Sequence, residues 1–134
     1  MKKYEFILHG LDNCKEIIEL IITNLKRIYN NINYFDIKLI LTEGLTNAFK
    51  HGNKNNKEKP IFLRYYLKHA HVIFEIEDSG NGVNGNIPDS IPEENILNNQ
   101  GRGLYLINVI ADELQVKGNC LIIKKYLQNQ LVNN

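Results

Sequence analysis

Apolar residues recur at helical spacing in three segments of the 134-residue chain. The first helical segment follows Leu11, with Asp12 as a possible N-terminal cap. The second runs from about Tyr34 to Lys50 and is expected to stop at Gly52, a residue type that commonly ends helices. A third apolar pattern of the same period covers residues 102–114. These segments predict three helices.

Strand-like runs rich in β-branched and aromatic residues lie before, between and after the helical segments. They read "YEFILHG", "PIFLRYYLKH", "HVIFEIED", "LQVK" and "CLIIKKYL", and the last two flank Gly118-Asn119, a tight-turn signal. The predicted order is β-α-α-β-β-loop-α-β-β, without internal repeats or linkers. This order predicts one α+β domain over residues 1–134, a two-layer sandwich of helices on a mixed, mostly antiparallel sheet.

The composition is that of an ordinary globular domain, with 43% hydrophobic and 23% charged residues. A net charge of +1 gives no global field that would attract nucleic acid. The densest basic stretch, Lys50–Lys59, lacks the aromatic residues that stack on bases, and its Asn residues are typical of a solvated loop. We therefore expect no direct contact with nucleic acid.

Cysteine and histidine spacing does not indicate a disulfide framework or a zinc site. Cys14 and Cys120 lie far apart and lack a C-x-x-C spacing. His69 and His71 could share one face of a strand, but no carboxylate or cysteine partner is apparent beside them. The strongest N-terminal apolar run has about five residues, too short for a signal peptide or a membrane span. We expect a cytoplasmic protein without a membrane segment.

An unusual polar stripe runs along the second helical segment, in "LTEGLTNAFKHGN". Glu43, Asn47 and His51 follow at four-residue steps, and each step rotates by only about 40° around a helix. The stripe borders the apolar face, because Ile40 and Gly44 fall among its members, whereas a surface helix normally places its charges opposite the core. The apolar face itself is formed by Ile37, Leu41, Leu45 and Ala48. The stripe indicates a functional seam, although polar residues on a helix can also be simply solvated.

A glycine-rich segment, "EDSGNGVNG", follows the predicted strand that ends near Asp78. Gly80, Gly82 and Gly85 match the G-x-G-x-x-G spacing of dinucleotide-binding turns. That motif requires a helix to begin at the glycines, but helix-breaking Asn and Pro residues follow here. The P-loop pattern is also absent. We therefore reject both phosphate-binding motifs.

A different role fits the residues of this segment individually. Asp78 ends an apolar strand, so its carboxylate is expected to be partly buried and to need hydrogen-bond donors. The exocyclic amine of adenine is a suitable donor. Gly80 and Gly82 would permit a close approach that side chains would block. Taken alone, the segment also fits an ordinary turn after a strand.

The second glycine cluster, "NQGRGLYLI", precedes the third predicted helix. Gly101 and Gly103 would leave backbone amides bare at the helix N-terminus, where phosphate oxygens bind favourably. Arg102 would add positive charge there or point to a partner protein. An ordinary loop-to-helix entry is the alternative interpretation of this cluster.

Taken together, these motifs resemble those of the GHKL ATPase superfamily and, within it, the anti-sigma-factor serine kinases. "EGLTNAFKHG" resembles the family's Asn-bearing helix, "EDSGNGV" its Asp-x-Gly-x-Gly adenine motif, and "GRGLYLI" its last glycine motif. The three motifs occur in the family's order, and with their flanking elements the resemblance covers nearly the whole chain. It implies a Bergerat-type ATP-binding fold.

The resemblance also implies roles for individual residues. Glu43 would act as the general base on a serine hydroxyl, and Asn47 would hold Mg²⁺ through its side-chain oxygen. Asp78 would recognise adenine, and residues 84–100 would form a lid over ATP. His51 lies near this site without a chemical step of its own. The remaining nucleotide-binding positions would be Gly80, Gly82, Gly101, Arg102, Gly103 and Leu104.

One position departs from the family pattern. The last hairpin of these kinases usually offers a Thr hydroxyl to adenine, and here Asn119 or Cys120 replaces it. Losing one neutral hydrogen bond would cost about 0.5–1.5 kcal/mol, or up to about tenfold in affinity. This change would weaken nucleotide binding without abolishing it.

The function that the resemblance implies is ATP-dependent phosphorylation of a serine on a small antagonist protein, together with sequestration of a sigma factor. The family usually forms homodimers. Two alternatives remain open from the sequence. One is a nucleotide-binding interaction module of the same fold without phosphotransfer, and the other is a kinase of this type with an output other than a sigma factor.

Overall fold

The computed structural model describes residues 2–80 and 102–127. The elements follow the predicted order, with three helices and five strands in this part of the chain. They are β1 (Lys2–Leu8), α1 (Cys14–Ile28), α2 (Tyr34–Asn47) with a π-helical turn (Ala48–Gly52), β2 (Ile61–Leu67), β3 (His71–Glu77), α3 (Arg102–Ile110), β4 (Glu113–Lys117) and β5 (Cys120–Tyr126).

The five strands form one sheet with the order β1-β2-β3-β5-β4. Each described pair of neighbouring strands is antiparallel, and Ile76 in the central strand β3 lies between Leu63 of β2 and Leu121 of β5. The predicted α+β architecture is confirmed. The parallel pairing that a mixed sheet would contain does not occur among the described strands.

The core lies between one face of the sheet and the helices. Strand residues alternate between buried and more exposed positions, as in β3, where the side chains of Val72, Phe74 and Ile76 are buried. Helices α1 and α2 bury their apolar faces, including Ile21 and Leu25 of α1, against this layer. No helix in the described ranges combines the length and apolar character that crossing a membrane requires.

The structure corrects two predicted boundaries and, for the second helix, which ends at Gly52 as predicted, the type of its last turn. Asp12 does not cap α1, which begins after Asn13; the Asp12 carboxylate instead pairs with Lys57 at 3.2 Å. The second helix is α-helical only to Asn47 and continues to Gly52 in π-helical form. The third ends at Ile110, because residues 113 and 114 pair with β5 and not with the preceding helical turn.

A lysine on the core side of β5 joins the ends of α2 and α3. The Lys125 ammonium donates to the Ile110 carbonyl at 2.8 Å and lies 3.4 Å from the Asp36 carboxylate. Ile110 is the last residue of α3, where carbonyl groups lack helical partners and attract cations. Asp36 lies in the first turn of α2. Lys125 therefore links the start of α2 to the end of α3.

We expect Lys125→Met to lower the free energy of unfolding by about 1–2 kcal/mol, because it removes the cation shared by a helix-terminal carbonyl and a carboxylate. The matched control is Lys124→Met, which removes a lysine on the opposite face of the same strand. Lys124 pairs with the more exposed Glu113 at 3.0 Å, so its loss should have little effect. Urea unfolding measures both variants, and equal losses would contradict the proposed link.

Candidate functional site

Gly44 allows α2 to pack closely against the central strand. It is buried, and a methyl group at this position would collide with the Ile76 side chain of β3 and contact Ile107 of α3. A glycine therefore permits α2 to lie nearer to the sheet than any larger residue would. This packing places the flanking Glu43 and Asn47, both half-buried, at the edge of the core and not out in solvent.

The first end of the site lies between α2 and the start of α3. A Cβ atom added at Gly103 would lie only 3.0 Å from Oε2 of Glu43. The Glu43 carboxylate is therefore next to the first turn of α3, where unpaired backbone amides carry partial positive charge and favour anions. Within the described residues, neither the Glu43 nor the Asn47 side chain has a hydrogen bond or ion pair.

The second end of the site is built around Asp78, whose side chain is only 6% exposed. Its Oδ1 accepts a hydrogen bond from the Gly80 amide at 2.8 Å. Burial raises the pKa of the Asp78 carboxyl above its ordinary value, and the Glu77 carboxylate raises it further. The Gly80 amide opposes this shift, because it stabilises the charged form.

Two glycines permit the close approach around this carboxylate. A Cβ atom at Gly52 would overlap the Asp78 carboxyl group, and one at Gly80 would overlap the Gly52 carbonyl. The end of the π-helical turn and the segment after β3 therefore touch through backbone atoms. Gly52 does more than end the helix, which was its only predicted role.

The site extends along α2 from Glu43 to Gly52. These residues are nine positions apart, which corresponds to about 13 Å of helix axis. Gly103 contacts the Glu43 end and Asp78 contacts the Gly52 end, while Asn47 lies between them on the chain. An extended nucleoside triphosphate can span such a length, with its base at one end and its terminal phosphate at the other.

The other predicted site residues differ in how the structure places them. Leu104 is partly buried, with its side chain packed against the core. Arg102 is the first residue of α3 and is half-buried, and His51 is exposed on the π-helical turn. Gly82, Gly101 and the predicted lid over residues 84–100 lie outside the described residues.

The structure distinguishes the two candidates for the missing Thr. Asn119 lies beside Asp78: its carbonyl accepts from the Asp78 amide at 3.0 Å, and its side-chain amide donates to the Asp78 carbonyl. Cys120 is paired with Glu77 in the sheet register and lies near Arg64, on the face of the sheet away from the helices. Asn119 is therefore the candidate that lies beside Asp78, and its side-chain amide already donates a hydrogen bond there.

Sequence reasoning missed one residue of this region, Asn53. It is completely buried, and its Oδ1 accepts from the Ser79 amide at 2.7 Å. The π-helical turn places it there, through a bond of 2.9 Å from its own amide to the Ala48 carbonyl, five residues earlier. Its position in an Asn-rich stretch typical of solvated loops gave no signal of this burial.

The residues present fit a magnesium-bound nucleotide. Asn47 offers a neutral side-chain oxygen, a ligand type that Mg²⁺ accepts when phosphate oxygens and water complete its shell. In the described parts of the chain no three His, Cys, Asp or Glu side chains cluster as a metal site. The glycines at positions 52, 80 and 103 allow the protein segments around the site to approach closely, because a Cβ atom at each would meet Asp78, Gly52 or Glu43.

Comparison with known proteins gives consistent matches. Residues 19–125 match the family model described as histidine kinase-like ATPase domain. A serine-protein kinase RsbW from Bacillus mycoides (strain KBAB4) is 25% identical, with 100% of this chain and 92% of that protein covered. An anti-sigma F factor from Bacillus thuringiensis (strain Al Hakam) is 28% identical over 103 residues, 70% of each chain.

A solved structure shows the same fold at lower sequence similarity. The catalytic domain of histidine kinase ThkA superposes with a TM-score of 0.53 at 16% identity, covering 97% of this chain and 100% of that one. The family model covers most of the chain. The matched residues include the helix that carries Glu43 and Asn47, the residue Asp78 after β3, and the first turn of α3. The chain therefore belongs to the histidine kinase-like ATPase domain family.

Proposed function

We propose that this chain is an ATP-dependent protein serine kinase that also acts as an anti-sigma factor. The observation that carries the proposal is the Glu43 carboxylate beside Gly103, at the N-terminus of α3. A proton acceptor and a phosphate-binding helix end then lie at the same end of the site. The names of the two Bacillus relatives support the choice of a protein serine as acceptor and a sigma factor as partner.

In the proposed reaction, the serine oxygen of the antagonist protein attacks the γ-phosphorus of ATP. The new bond joins the serine oxygen to phosphorus, the bond to the β-phosphate oxygen breaks, and ADP leaves. Glu43 accepts the hydroxyl proton, and the backbone amides at the start of α3 stabilise the phosphate oxygens. Mg²⁺, held by the Asn47 side-chain oxygen, would neutralise phosphate charge.

Asp78 is proposed to recognise the base. An ionised carboxylate accepts a hydrogen bond from the exocyclic amine of adenine, and it repels the carbonyl oxygen that guanine has at the same position. The Gly52 and Gly80 contacts hold this carboxylate at the end of the site away from Glu43. The proposed substrate is therefore specifically an adenine nucleotide.

Phosphorylation would also act as a switch between partners. A phosphate on the antagonist adds negative charge and acceptor oxygens, which would disrupt its docking and free the kinase to bind the sigma factor. Both partners would be met in the cytoplasm.

The proposed role of Glu43 as the general base can be tested by removing its charge. Glu43→Gln should lower the rate of phosphotransfer by about 10²–10⁴-fold, because it removes the general base, while ADP affinity stays near the wild-type value. The measurement is transfer of label from γ-labelled ATP to the antagonist encoded beside this protein, with Mg²⁺ present. Glu16→Gln, which alters an exposed acid in the first turn of α1, is the matched control and should keep full activity.

Two other outcomes would contradict parts of this proposal. Wild-type protein that binds ATP but labels no partner would be a nucleotide-binding module without phosphotransfer. Labelling of an antagonist without binding to any sigma factor would indicate a kinase with a different output.

The affinity for ADP is expected to depend on pH through the Asp78 carboxylate. The pKa of Asp78 is raised, so the carboxylate is protonated, and lost as an acceptor, at a higher pH than an ordinary aspartate. ADP affinity should therefore fall as the pH decreases through that raised pKa, and Asp78→Asn should flatten this dependence. Calorimetric titration across mildly acidic pH measures it, and an unchanged profile in the variant would exclude Asp78 as the titrating group.

The raised pKa of Asp78 also affects the stability of the folded protein, and the pH dependence of stability has the opposite sign to that of ADP affinity. Because the pKa of Asp78 is higher in the folded state, its contribution to stability is complete at low pH and is lost as the pH rises through the folded value. Asp78→Asn should therefore leave the nucleotide-free protein at least as stable as the wild type at pH 7, despite weaker ADP binding. Urea unfolding without nucleotide provides the check.

We propose a homodimer, as the resemblance implies. Sedimentation equilibrium should give twice the chain mass of 15.5 kDa. A single species at the chain mass, at concentrations well above those of the binding assays, would contradict the dimer.

A further inference from the structure

We infer that Asn53 is a positioning residue that holds Asp78 in the geometry needed to read adenine. This inference rests on the proposed function, in which the Asp78 carboxylate accepts from the adenine amine. Asn53 itself would not touch the nucleotide. It would act through the backbone that follows Asp78 and through the end of the π-helical turn.

The Asn53 side chain is completely buried and uses both ends of its amide. Its Oδ1 accepts from the Ser79 amide at 2.7 Å. Its Nδ2 donates to the Lys59 carbonyl at 2.9 Å and the Pro60 carbonyl at 3.3 Å, just before β2 begins. One side chain therefore joins three chain segments: the turn after α2, the approach to β2 and the exit from β3.

The hydrogen bond from the Ser79 amide to Asn53 fixes the backbone immediately after Asp78. The Ser79 hydroxyl donates to the Pro60 carbonyl at 2.7 Å, so the same carbonyl holds both Asn53 and Ser79. On its other side, the Asp78 backbone is held by Asn119. Asp78 thus has fixed backbone on both sides, and its carboxylate also packs against Gly52, the neighbour of Asn53.

The chemistry of this position requires an amide. Asparagine provides both an acceptor and two donors on a short side chain, and the structure uses both functions. Aspartate would lack the donors and would place a buried charge next to the Lys59 and Pro60 carbonyl groups. Alanine would leave the Ser79 amide and these two carbonyl groups without their hydrogen-bond partner. The chain reaches this geometry through Lys54 and Asn55, both in left-handed conformation with φ of 55° and 61°.

The experiment compares ADP with inosine diphosphate, which differs at the base by carrying a carbonyl oxygen in place of the exocyclic amine. Affinities for both nucleotides are measured by calorimetry for wild type, Asn53→Ala, Asp78→Asn and the double variant. Asn24→Ala is the matched control, because it removes a side-chain amide in α1 that is partly buried and donates to the Tyr65 hydroxyl at 2.8 Å.

Asn53→Ala should lower ADP affinity by about tenfold while changing inosine diphosphate affinity by no more than about twofold. A general loosening of the structure would instead weaken both nucleotides together. In the double variant, loss of Asn53 should cost little more than Asp78→Asn alone, because the group being positioned is already altered. Asn24→Ala should keep the wild-type ratio of the two affinities.

The outcomes separate this inference from the proposed function. If wild type and Asp78→Asn show the same ratio of affinities, adenine reading by Asp78 is wrong. If Asp78→Asn loses the preference for ADP but Asn53→Ala keeps it, the positioning role alone is wrong.

A second measurement remains if Asn53→Ala does not fold. In the wild type, ADP should slow hydrogen exchange of the Ser79 amide more than inosine diphosphate does at equal saturation, because ligand binding and the Asn53–Ser79 bond stabilise each other. Equal protection by both nucleotides would overturn the inference.

Discussion

The close approach of α2 to the central strand β3 is the constraint on which the site depends. Gly44 packs on Ile76 in the last turn of α2, and Gly52 packs on Asp78 at the end of the π-helical turn. With larger residues at these positions, the helix and its π-helical extension would have to move away from the sheet. Glu43, Asn47 and Asp78 would then change their positions relative to one another.

The two ends of the candidate site differ in their charges and in their hydrogen bonds. At one end, Glu43 and the N-terminus of α3 combine a carboxylate with a positive helix end, and the carboxylate has no partner among the described residues. At the other end, Asp78 is buried, its carboxylate accepts a hydrogen bond from the Gly80 amide, and its pKa is raised by burial. An unengaged carboxylate would suit the proposed proton transfer, whereas a fixed acceptor would suit the proposed recognition of a base.

The rest of the fold stabilises these elements from outside the site. Lys125 joins the start of α2 to the end of α3, the ends opposite to those that carry Glu43 and Gly103. Across the sheet, Arg64 pairs with Glu75 at 2.8 Å and Glu77 at 2.7 Å, which ties β2 to β3 next to Asp78. The elements that position the proposed ligand groups are therefore fixed at several points, as a preorganised binding site requires.

The sequence alone determined the order of elements, the α+β class and the approximate sites of the three motifs, because hydrophobic period and glycine spacing are properties of residues near one another in the chain. It also indicated that Glu43 and Asn47 border the core. Tertiary structure decided which distant residues meet. Asn53 and Ser79 are 26 positions apart, and Asn119 reaches Asp78 across 41. No local pattern distinguishes a buried Asn53 from solvated asparagines or a π-helical turn from an α-helical one, since both depend on how the end of α2 packs against the sheet.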